Sequence, residues 1–392
     1  MSETTSQADG AEPGVPELQD AGLNDTQRIA GATGWTPRAA YREIRAYDVE
    51  PSSCEIELAD NTSPFGAPPA ALRVLSAAVG DRLARYPSTY SRDLRSAIAA
   101  YVGVAPEEVM VGCGSDDVMS CAFRALGNPG DRVAYMDPTF VMARVFAAVN
   151  SLTPVPVPLT PAFDADAEAL VDARAPITYV CSPNNPTGLP VAPAVLAQVL
   201  RGAAGLVFID EAYAEFAGTN LAGAAPAHGR SLVFRTFSKA FGLAGLRVGF
   251  AVGARPLIAE LEKARGPFGV TALSEQAALV ALTDDLRWVR DGVARIIASR
   301  ERFIGALRAA GLAPLDSAAN FVLIPVRDAR GAMRAMRDRG ILVRHFSALP
   351  GIGDALRISL ADWPVMARVL EALVAVVPHD ARPLRAGERV DA

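Results

Sequence analysis

Three features of this 392-residue chain predict an α/β fold in which a mainly parallel sheet is sandwiched by helices. Short apolar runs alternate with amphipathic helical stretches up to about residue 280. Each run is too short for a core helix and is followed by Gly, Pro, Asp or Ser. Beyond that point the pattern changes to one long helix, three strands and a last helix, which predicts a smaller α/β domain.

The large domain is predicted from strands and helices that alternate along the chain. Strands are predicted at residues 109–111, 132–136, 177–181, 206–209, 232–236 and 247–251, and helices at 116–126, 138–149 and 194–201. A sheet built from such alternation is mostly parallel and carries helices on both faces.

The smaller domain is predicted from a helix at 286–310, strands at 321–324, 341–343 and 356–360, and a helix at 364–376. We expect the following organisation: a disordered tail at 1–35, an N-terminal segment at 36–64 that joins the small domain, the large domain at 65–285, the small C-terminal domain at 286–380 and a tail at 381–392.

Composition excludes several classes of partner. Hydrophobic residues make up 51% of the chain and charged residues 21%, which is typical of a soluble globular protein. A formal net charge of -5 without basic runs argues against nucleic acid, and no apolar stretch is long enough to span a membrane. The N-terminus lacks the features of a signal peptide, so a cytoplasmic location is predicted. The spacing of the four cysteines and three histidines argues against a metal site.

Polar residues gather where the predicted strands end. Gly112, Asp137, residues 182–185, Asp210 and residues 238–239 each follow one strand. The functional residues of such a sheet lie beyond the carboxyl ends of its strands, so we expect these groups to form one small-molecule site.

Lys239 and Asp210 are the pair that suggests the chemistry. Lys239 is flanked by Phe237 and Phe241, and an apolar setting favours its neutral amine. A neutral lysine can form a Schiff base with an aldehyde cofactor, while a buried acid keeps a pyridine nitrogen protonated so that the ring accepts electrons. A surface lysine and a helix-capping acid are the alternative interpretations.

Three further features fit an anionic cofactor. Residues 112–117, Gly-Cys-Gly-Ser-Asp-Asp, follow a strand and open a helix whose N–H groups can bind a phosphate, although a capped glycine turn has the same letters. Arg247 can bind a phosphate through two N–H groups. Asn185 can point its amide at a cofactor oxygen, although the composition of its segment alone is that of a turn.

Three segments, taken together and in order, carry a family resemblance. They read Ser-Pro-Asn-Asn-Pro-Thr-Gly at 182–188, Ile-Asp-Glu-Ala-Tyr at 209–213 and Ser-Lys-Ala-Phe-Gly-Leu-Ala-Gly-Leu-Arg at 238–247. They resemble the aspartate-aminotransferase-like fold (fold type I) of pyridoxal-phosphate enzymes, class I/II, and within it the histidinol-phosphate aminotransferase group. The resemblance runs from about residue 57 to about residue 373.

The resemblance implies pyridoxal 5'-phosphate as cofactor and a role for each residue around it. Lys239 would bond the cofactor aldehyde and shuttle the substrate proton, and Asp210 would pair with the pyridinium nitrogen. Tyr213 and Asn185 would hydrogen-bond the ring oxygen. The phosphate would be held by Gly114, Ser115, Asp116, Ser238 and Arg247.

The resemblance also implies contacts with the substrate and with a second subunit. Phe140 would stack on the ring where this group usually has tyrosine. Tyr86 would reach the phosphate of the neighbouring subunit, so a homodimer with shared active sites is expected. Arg357 would bind a substrate carboxylate and Arg344 a second anionic group, with surface salt bridging as the alternative for both.

The chain departs from the group's pattern on the substrate side. The group usually carries Asn-Glu-Asn-Pro-Tyr-Gly near its start, whereas residues 60–66 here read Asp-Asn-Thr-Ser-Pro-Phe-Gly. Beyond Arg357, Val-Gly-Thr with following acids is replaced by Ser-Leu-Ala-Asp-Trp at 359–363. The cofactor side is intact, so the sequence defines the chemistry more narrowly than the substrate.

We therefore predict a pyridoxal-phosphate-dependent aminotransferase. Its donor would be an amino acid or an amino-phosphate such as histidinol phosphate, and its acceptor a 2-oxo acid, with glutamate and 2-oxoglutarate as the expected pair. A decarboxylase on the same scaffold, acting on a phosphorylated threonine, is the alternative. A non-catalytic binding protein that keeps the fold is a third interpretation.

Overall fold

The computed structural model describes residues 38–41, 44, 54–77 and 84–377. The chain divides into two units, Met1–Asp48 and Val49–Ala392. In the first unit, the described residues include a short 3₁₀ turn, Ala39–Tyr41. The tails predicted at 1–35 and 381–392 lie outside the described residues, as does much of the segment predicted at 36–64.

The second unit contains the strands and helices, which we number in chain order. The strands are β1 (Ile56–Leu58), β2 (Val109–Gly112), β3 (Arg132–Asp137), β4 (Thr153–Pro158), β5 (Ile177–Cys181), β6 (Leu206–Asp210), β7 (Ser231–Thr236), β8 (Gly249–Gly253), β9 (Phe321–Pro325), β10 (Ile341–Leu349) and β11 (Gly353–Ser359). The helices are α1 (Pro69–Ser76), α2 (Arg92–Val102), α3 (Gly114–Leu126), α4 (Val141–Val149), α5 (Ala167–Asp172), α6 (Pro193–Gly202), α7 (Ala214–Ala217), α8 (Ala225–His228), α9 (Arg255–Ala264), α10 (Ala272–Thr283), α11 (Leu286–Ala309), α12 (Ala329–Arg337) and α13 (Trp363–Val376).

Seven strands of the described chain form one sheet in the order β2-β8-β7-β6-β5-β3-β4. The neighbours from β7 through β6, β5 and β3 to β4 run parallel, whereas β8 is antiparallel to both β7 and β2. The predicted mainly parallel α/β fold is therefore confirmed. Among the described residues, no helix combines the length and apolar character that a membrane span requires.

Two strands of the large sheet differ from the prediction. β4, Thr-Pro-Val-Pro-Val-Pro, was not predicted as a strand. Its prolines lack the N–H that a central strand needs, and they are tolerated here because β4 is an edge strand. The strand predicted at 247–251 begins only at Gly249. Arg247 has a φ of 52°, in the left-handed region, which ends the extended conformation on its N-terminal side.

Apolar side chains cover both faces of the large sheet. In β6, Val207 and Ile209 belong to one buried cluster and Phe208 to another, as alternation along a strand requires. The first cluster also contains Phe321 and Leu356 from strands of the second sheet. One apolar core therefore runs beneath both sheets.

The second sheet has the strand order β1-β10-β11-β9 within the described residues. β1 pairs with β10 in parallel, and the other neighbours are antiparallel. The 24-residue helix α11 precedes this region and α13 follows it. β1 thus contributes an N-terminal strand to a sheet that is otherwise C-terminal. The boundaries between the large and small domains remain predictions from the sequence.

Candidate functional site

The ends of two neighbouring strands carry the acid and the amine of the predicted site. Asp210 is the last residue of β6, and Lys239 lies three residues beyond the end of β7 at Thr236. These strands pair in parallel, with Asp210 opposite Phe234. The topology therefore brings the loop that carries Lys239 to the edge where Asp210 lies.

Asp210 is a buried carboxylate that accepts hydrogen bonds from two donors. The residue is only 4% exposed. Its Oδ2 accepts a hydrogen bond from the Tyr179 hydroxyl at 2.8 Å, and its Oδ1 accepts one from the Ala212 N–H at 3.0 Å. Burial raises the pKa of Asp210 to about 6, and the two donors oppose that rise. The carboxyl is thus held in place and is mostly ionised at neutral pH.

Lys239 has an amine that is poised to lose its proton. Its Nζ donates a hydrogen bond to the Asp60 carbonyl oxygen at 2.8 Å. Burial, and then the positive charge of Arg357, lower the pKa of Lys239 to about 8. Roughly a tenth of the molecules therefore carry the neutral amine at pH 7. This is the state in which a lysine can attack an aldehyde or accept a proton.

The loop at the start of α3 forms a cradle that only glycine permits. Gly114 has a φ of 84°, and a Cβ on it would lie 2.7 Å from Nη2 of Arg247. A Cβ on Gly249 would lie 2.2 Å from the Ser115 nitrogen. Gly249 thus allows close backbone approach at the N-terminus of a 13-residue helix, and Gly114 leaves room there for the Arg247 guanidinium. The first N–H groups of a helix have no partner within it and can bind an anion.

Arg247 joins this cradle to the loop that carries the lysine. Its Nη1 lies 3.4 Å from the Ser238 Oγ, and its Nη2 lies 3.5 Å from the Asp116 Oδ2. The structure therefore brings together all of the residues that were predicted to hold a phosphate: Gly114, Ser115, Asp116, Ser238 and Arg247.

Arg357 connects the second sheet to the predicted cofactor side. The residue is 7% exposed, and its Nη1 donates to the Asn185 Oδ1 at 2.6 Å. Its Nη2 donates to the Ala59 carbonyl oxygen at 2.5 Å. The guanidinium carbon lies 5.4 Å from the Phe321 ring centre and 5.6 Å from that of Phe346. Arg357 is a buried, oriented cation, so surface salt bridging does not describe it.

Arg344 lies beside Arg357. The two residues are directly opposite each other where β10 and β11 pair antiparallel. Opposed residues in such a pair project from the same face, with Cβ atoms about 4.5–5.5 Å apart. Two guanidinium groups therefore originate from one patch of the second sheet, and like charges at this spacing destabilise the pair unless negative charge offsets them.

A buried polar network around Asn61 was not predicted from the sequence. The Asn61 Nδ2 donates to the Tyr213 hydroxyl at 3.0 Å, and its backbone N–H donates to the Ser359 Oγ at 2.9 Å. Ser359 in turn donates to the Asn61 Oδ1 at 3.0 Å, while the Asn320 Nδ2 donates to the Asn61 carbonyl oxygen at 3.0 Å. The two segments that depart from the family pattern, 60–66 and 359–363, therefore meet here. A left-handed φ of 55° at Asn61 is typical of asparagine but is not visible in the sequence.

Phe140 and Tyr86 occupy different surroundings. Phe140 is half-buried just before α4, and the neighbouring Thr139 donates to the Asn184 Oδ1 at 2.7 Å. This contact ties the Phe140 loop to the segment of Asn185. Tyr86, in contrast, is 82% exposed and stacks on Phe268 with ring centres 4.7 Å apart. The structure does not place Tyr86 among the residues around Lys239.

Comparison with known proteins identifies close relatives of the chain. The family model "Aminotransferase class I and II" matches residues 55–373. A histidinol-phosphate aminotransferase from Roseiflexus castenholzii is 41% identical over 345 residues, which cover 85% of this chain and 92% of that protein. A histidinol-phosphate aminotransferase from Methylibium petroleiphilum is 38% identical and covers 82% of this chain and 90% of that protein.

Solved structures agree with the fold. The crystal structure of a histidinol-phosphate aminotransferase from Sinorhizobium meliloti in complex with pyridoxal-5'-phosphate has a TM-score of 0.75 and 26% identity, and covers 94% of this chain and 98% of that chain. An aspartate aminotransferase from Thermus thermophilus with maleate has a TM-score of 0.71 over 85% of this chain and 100% of that chain. At 22% identity, the second likeness concerns the fold alone.

Proposed function

Because the chain belongs to the class I and II aminotransferases, whose family model matches residues 55–373, we propose that it is a histidinol-phosphate aminotransferase using glutamate and 2-oxoglutarate. The coarser prediction, a pyridoxal-phosphate-dependent aminotransferase, is confirmed. The relatives named above are aminotransferases, so the decarboxylase alternative is not favoured.

The described residues fit pyridoxal phosphate. The helix N-terminus at Gly114, where a Cβ would meet the Arg247 guanidinium, joins N–H groups to a cation, which suits a phosphate. Asp210 is a buried carboxylate, which suits a pyridinium N–H, and Lys239 offers an amine with a lowered pKa. The cofactor, when bound, supplies an aldehyde that condenses with amines and a ring that withdraws electrons from the substrate Cα.

The residues around the cofactor side have separate roles in the proposed reaction. Asp210 holds a negative charge in a buried setting, where it would stabilise a protonated pyridine nitrogen more than it could in water. Lys239 would hold the cofactor through its aldehyde, and its Nζ would serve as the base that moves the substrate Cα proton. Tyr213 and Asn185 are our candidates for the hydrogen bonds to the ring oxygen.

The paired arginines carry the proposal for the substrate. Arg344 and Arg357 project from one face at opposed positions, so the two cations lie close enough to contact one substrate. Glutamate offers two carboxylates to such a pair, and histidinol phosphate offers a dianionic phosphate. We propose that Arg357 binds the α-carboxylate of glutamate, that Arg344 binds its γ-carboxylate, and that both arginines bind the phosphate of histidinol phosphate.

A half-reaction screen tests this substrate class. The cofactor-loaded enzyme is mixed separately with histidinol phosphate, histidinol, glutamate and phenylalanine, and the loss of visible absorbance is followed. We expect histidinol phosphate and glutamate to bleach the enzyme, with histidinol slower by about a hundredfold because it lacks the phosphate. In the Arg344→Met variant, the bleaching rates with histidinol phosphate and with histidinol should lie closer together.

Other outcomes of this screen count against the proposal. An enzyme that reacts fastest with phenylalanine and ignores histidinol phosphate would remain an aminotransferase but would not have the proposed substrate. An equal rate with histidinol and histidinol phosphate would remove the argument from Arg344. Release of carbon dioxide in place of amino transfer would restore the decarboxylase alternative.

We also propose a homodimer in which Tyr86 enters the partner's site. Tyr86 lines a cleft of about 760 Å³ together with Pro87, Pro267 and Phe268. A stacked aromatic pair that stays exposed within its own chain is typical of a surface that another protein covers. The cytoplasmic location and the boundaries of the large and small domains are likewise predictions.

Mixed dimers provide the test. The Lys239→Ala and Tyr86→Ala proteins are each expected to be impaired alone. Mixing should restore activity, because each mixed dimer has one site with Lys239 from one chain and Tyr86 from the other. No recovery after subunit exchange, or a fully active monomer in sedimentation, would contradict a shared site.

A further inference from the structure

The strand beside β6 contributes one polar atom to the cofactor side that no sequence motif marks. Tyr179 lies in the middle of β5 and is 0% exposed. Its ring belongs to the apolar cluster that contains Phe208 and Phe234. A tyrosine hydroxyl that is buried in such surroundings needs a hydrogen-bond partner, and the partner here is the Asp210 Oδ2, at 2.8 Å.

The register of the sheet explains how this contact is made. Tyr179 is opposite Phe208, and Cys181 is opposite Asp210. All four side chains project from the same face because residues two apart in a strand do so. The Cα of Tyr179 therefore lies two residues, about 6.6 Å along the strand, before the position that is paired with Asp210. A tyrosine side chain bridges that distance along the sheet, whereas a serine or threonine would not.

The contact leaves Asp210 able to accept one more donor. An ionised carboxylate has about four lone-pair positions, and the described donors are the Tyr179 hydroxyl and the Ala212 N–H, on different oxygens. Both donors fix the carboxylate plane without taking all of its capacity. A pyridinium N–H can therefore add to a carboxylate whose orientation is already set.

We propose that Tyr179 is a positioning residue for the aminotransferase reaction, whose hydroxyl orients the Asp210 carboxylate and keeps it ionised for its ion pair with the cofactor ring nitrogen. The inference rests on the role of Asp210 in the proposed function. The titratable groups that face Asp210 are Tyr179 and Cys181 on β5, Asp116 on α3, Lys239 after β7 and Tyr213 just before α7. Of these, Tyr179 donates a hydrogen bond to the carboxylate itself.

The electrostatics agree with this role. Burial raises the pKa of Asp210, and the hydrogen bond from Tyr179 is the first of the influences that oppose the rise. A hydrogen bond to a charged group is worth enough to move a pKa by about one to two pH units. Without the hydroxyl, Asp210 would take up a proton near neutral pH and could no longer balance a pyridinium charge.

The test compares Tyr179→Phe with a matched change on the next strand. Tyr135 lies opposite Tyr179 where β3 pairs with β5, and it is also buried, so Tyr135→Phe removes the same atom from the same layer. In the apoenzyme labelled with ¹³C-carboxyl aspartate, Tyr179→Phe should raise the titration midpoint of Asp210 by about one to two pH units. Tyr135→Phe should leave the Asp210 midpoint unchanged. The Asp210 signal is identified as the one that disappears in Asp210→Asn.

The loaded enzyme gives a second readout. With cofactor carrying ¹⁵N in the ring, Tyr179→Phe should lower the pH up to which the ring nitrogen stays protonated. The value of kcat should fall about ten- to a hundredfold while KM for the amino donor changes little. An unchanged Asp210 titration and an unchanged ¹⁵N signal in Tyr179→Phe would overturn the proposal.

Fluorinated tyrosine keeps the proposal testable if Tyr179→Phe does not fold. Site-specific 3-fluorotyrosine or 3,5-difluorotyrosine at position 179 preserves the shape and makes the hydroxyl a stronger donor. The Asp210 midpoint should then move down in that order, and no movement would contradict the proposal. If the wild-type protein failed to bind pyridoxal phosphate, the proposed function would fail. The apoenzyme titration would still show whether the Tyr179 hydroxyl lowers the pKa of Asp210.

Discussion

The cofactor side of this site contains local contacts as well as distant ones, whereas the substrate side depends on distant contacts. On the cofactor side, Ser238 and Arg247 are 9 residues apart and Asp210 accepts a hydrogen bond from the N–H 2 residues later, while Arg247 and Asp116 are 131 residues apart. On the substrate side, the contacts of Asn61 with Ser359 and of Arg357 with Ala59 each join residues 298 apart.

This difference explains why the chemistry can be read from motifs while the substrate cannot. A strand end and the loop that follows it place several cofactor contacts within one segment. The substrate side forms only when β1, β10 and β11 come together in the second sheet. Changes on the cofactor side should therefore remove the chemistry, and changes on the substrate side should alter affinity and selectivity.

The largest effect is expected from the amine of the cofactor side. Lys239→Ala should lower kcat by at least about a thousandfold and abolish the visible absorbance of the lysine-bound cofactor, because the proton carrier and the covalent link are lost together. Steady-state kinetics and absorption spectra measure both. Lys263→Ala is the control, since that lysine is exposed and pairs with Glu260. A Lys239→Ala protein that kept its colour and turnover would contradict the assignment.

A smaller effect is expected on the substrate side. Arg357→Met should lower kcat/KM for glutamate by about a hundredfold, because a charged hydrogen-bond donor to the substrate is lost. The visible spectrum of the loaded enzyme should stay close to that of the wild type. Arg287→Met, at a side chain that is 95% exposed, is the control. Equal losses in both variants would mean that Arg357 does not select the substrate.

The apoenzyme should be more stable without the charged lysine. Because the pKa of Lys239 is lowered to about 8 in the folded state, its charged form costs folding free energy below that pH. This cost disappears as pH rises from the folded pKa towards the ordinary lysine value. Lys239→Met should therefore raise the free energy of unfolding by about 3 kcal/mol at pH 7. The advantage should shrink by about pH 10, and urea unfolding at both pH values measures it. An advantage that grew with pH would contradict the lowered pKa.

The smallest effect is expected from the contact that joins the two departing segments. Asn61→Ala and Ser359→Ala should each lower the free energy of unfolding by about 1 to 2 kcal/mol, with a coupling of about 1 kcal/mol in the double variant. The control pair, Asn61→Ala with Ser76→Ala, should be additive because the Ser76 hydroxyl bonds its own helix at the surface. If the effects of the two substitutions were additive, the hydrogen bonds between Asn61 and Ser359 would contribute nothing to stability.

The sequence predicted six of the seven strands that the structure describes in the large sheet and missed the edge strand β4. Residues 177–181 were predicted as a strand and form β5, and the predicted helix at 286–310 differs from α11 by one residue. Periodicity is strong in such buried segments because both faces of a strand, or one face of a helix, must be apolar. The prolines of the edge strand β4 oppose the usual strand pattern, so local sequence gives no strand signal there.

The sequence by itself determined the chemistry of this protein, since Lys239, Asp210 and the glycine-rich loop follow strand ends and their types suffice to indicate a Schiff base, a ring acid and a phosphate. Only the tertiary structure decided that Asn61 meets Ser359, that Arg344 lies opposite Arg357 and that Tyr179 reaches Asp210. These contacts depend on strand register and on pairing between distant segments. Neither leaves a local pattern, because each partner alone looks like an ordinary polar or aromatic residue in its own segment.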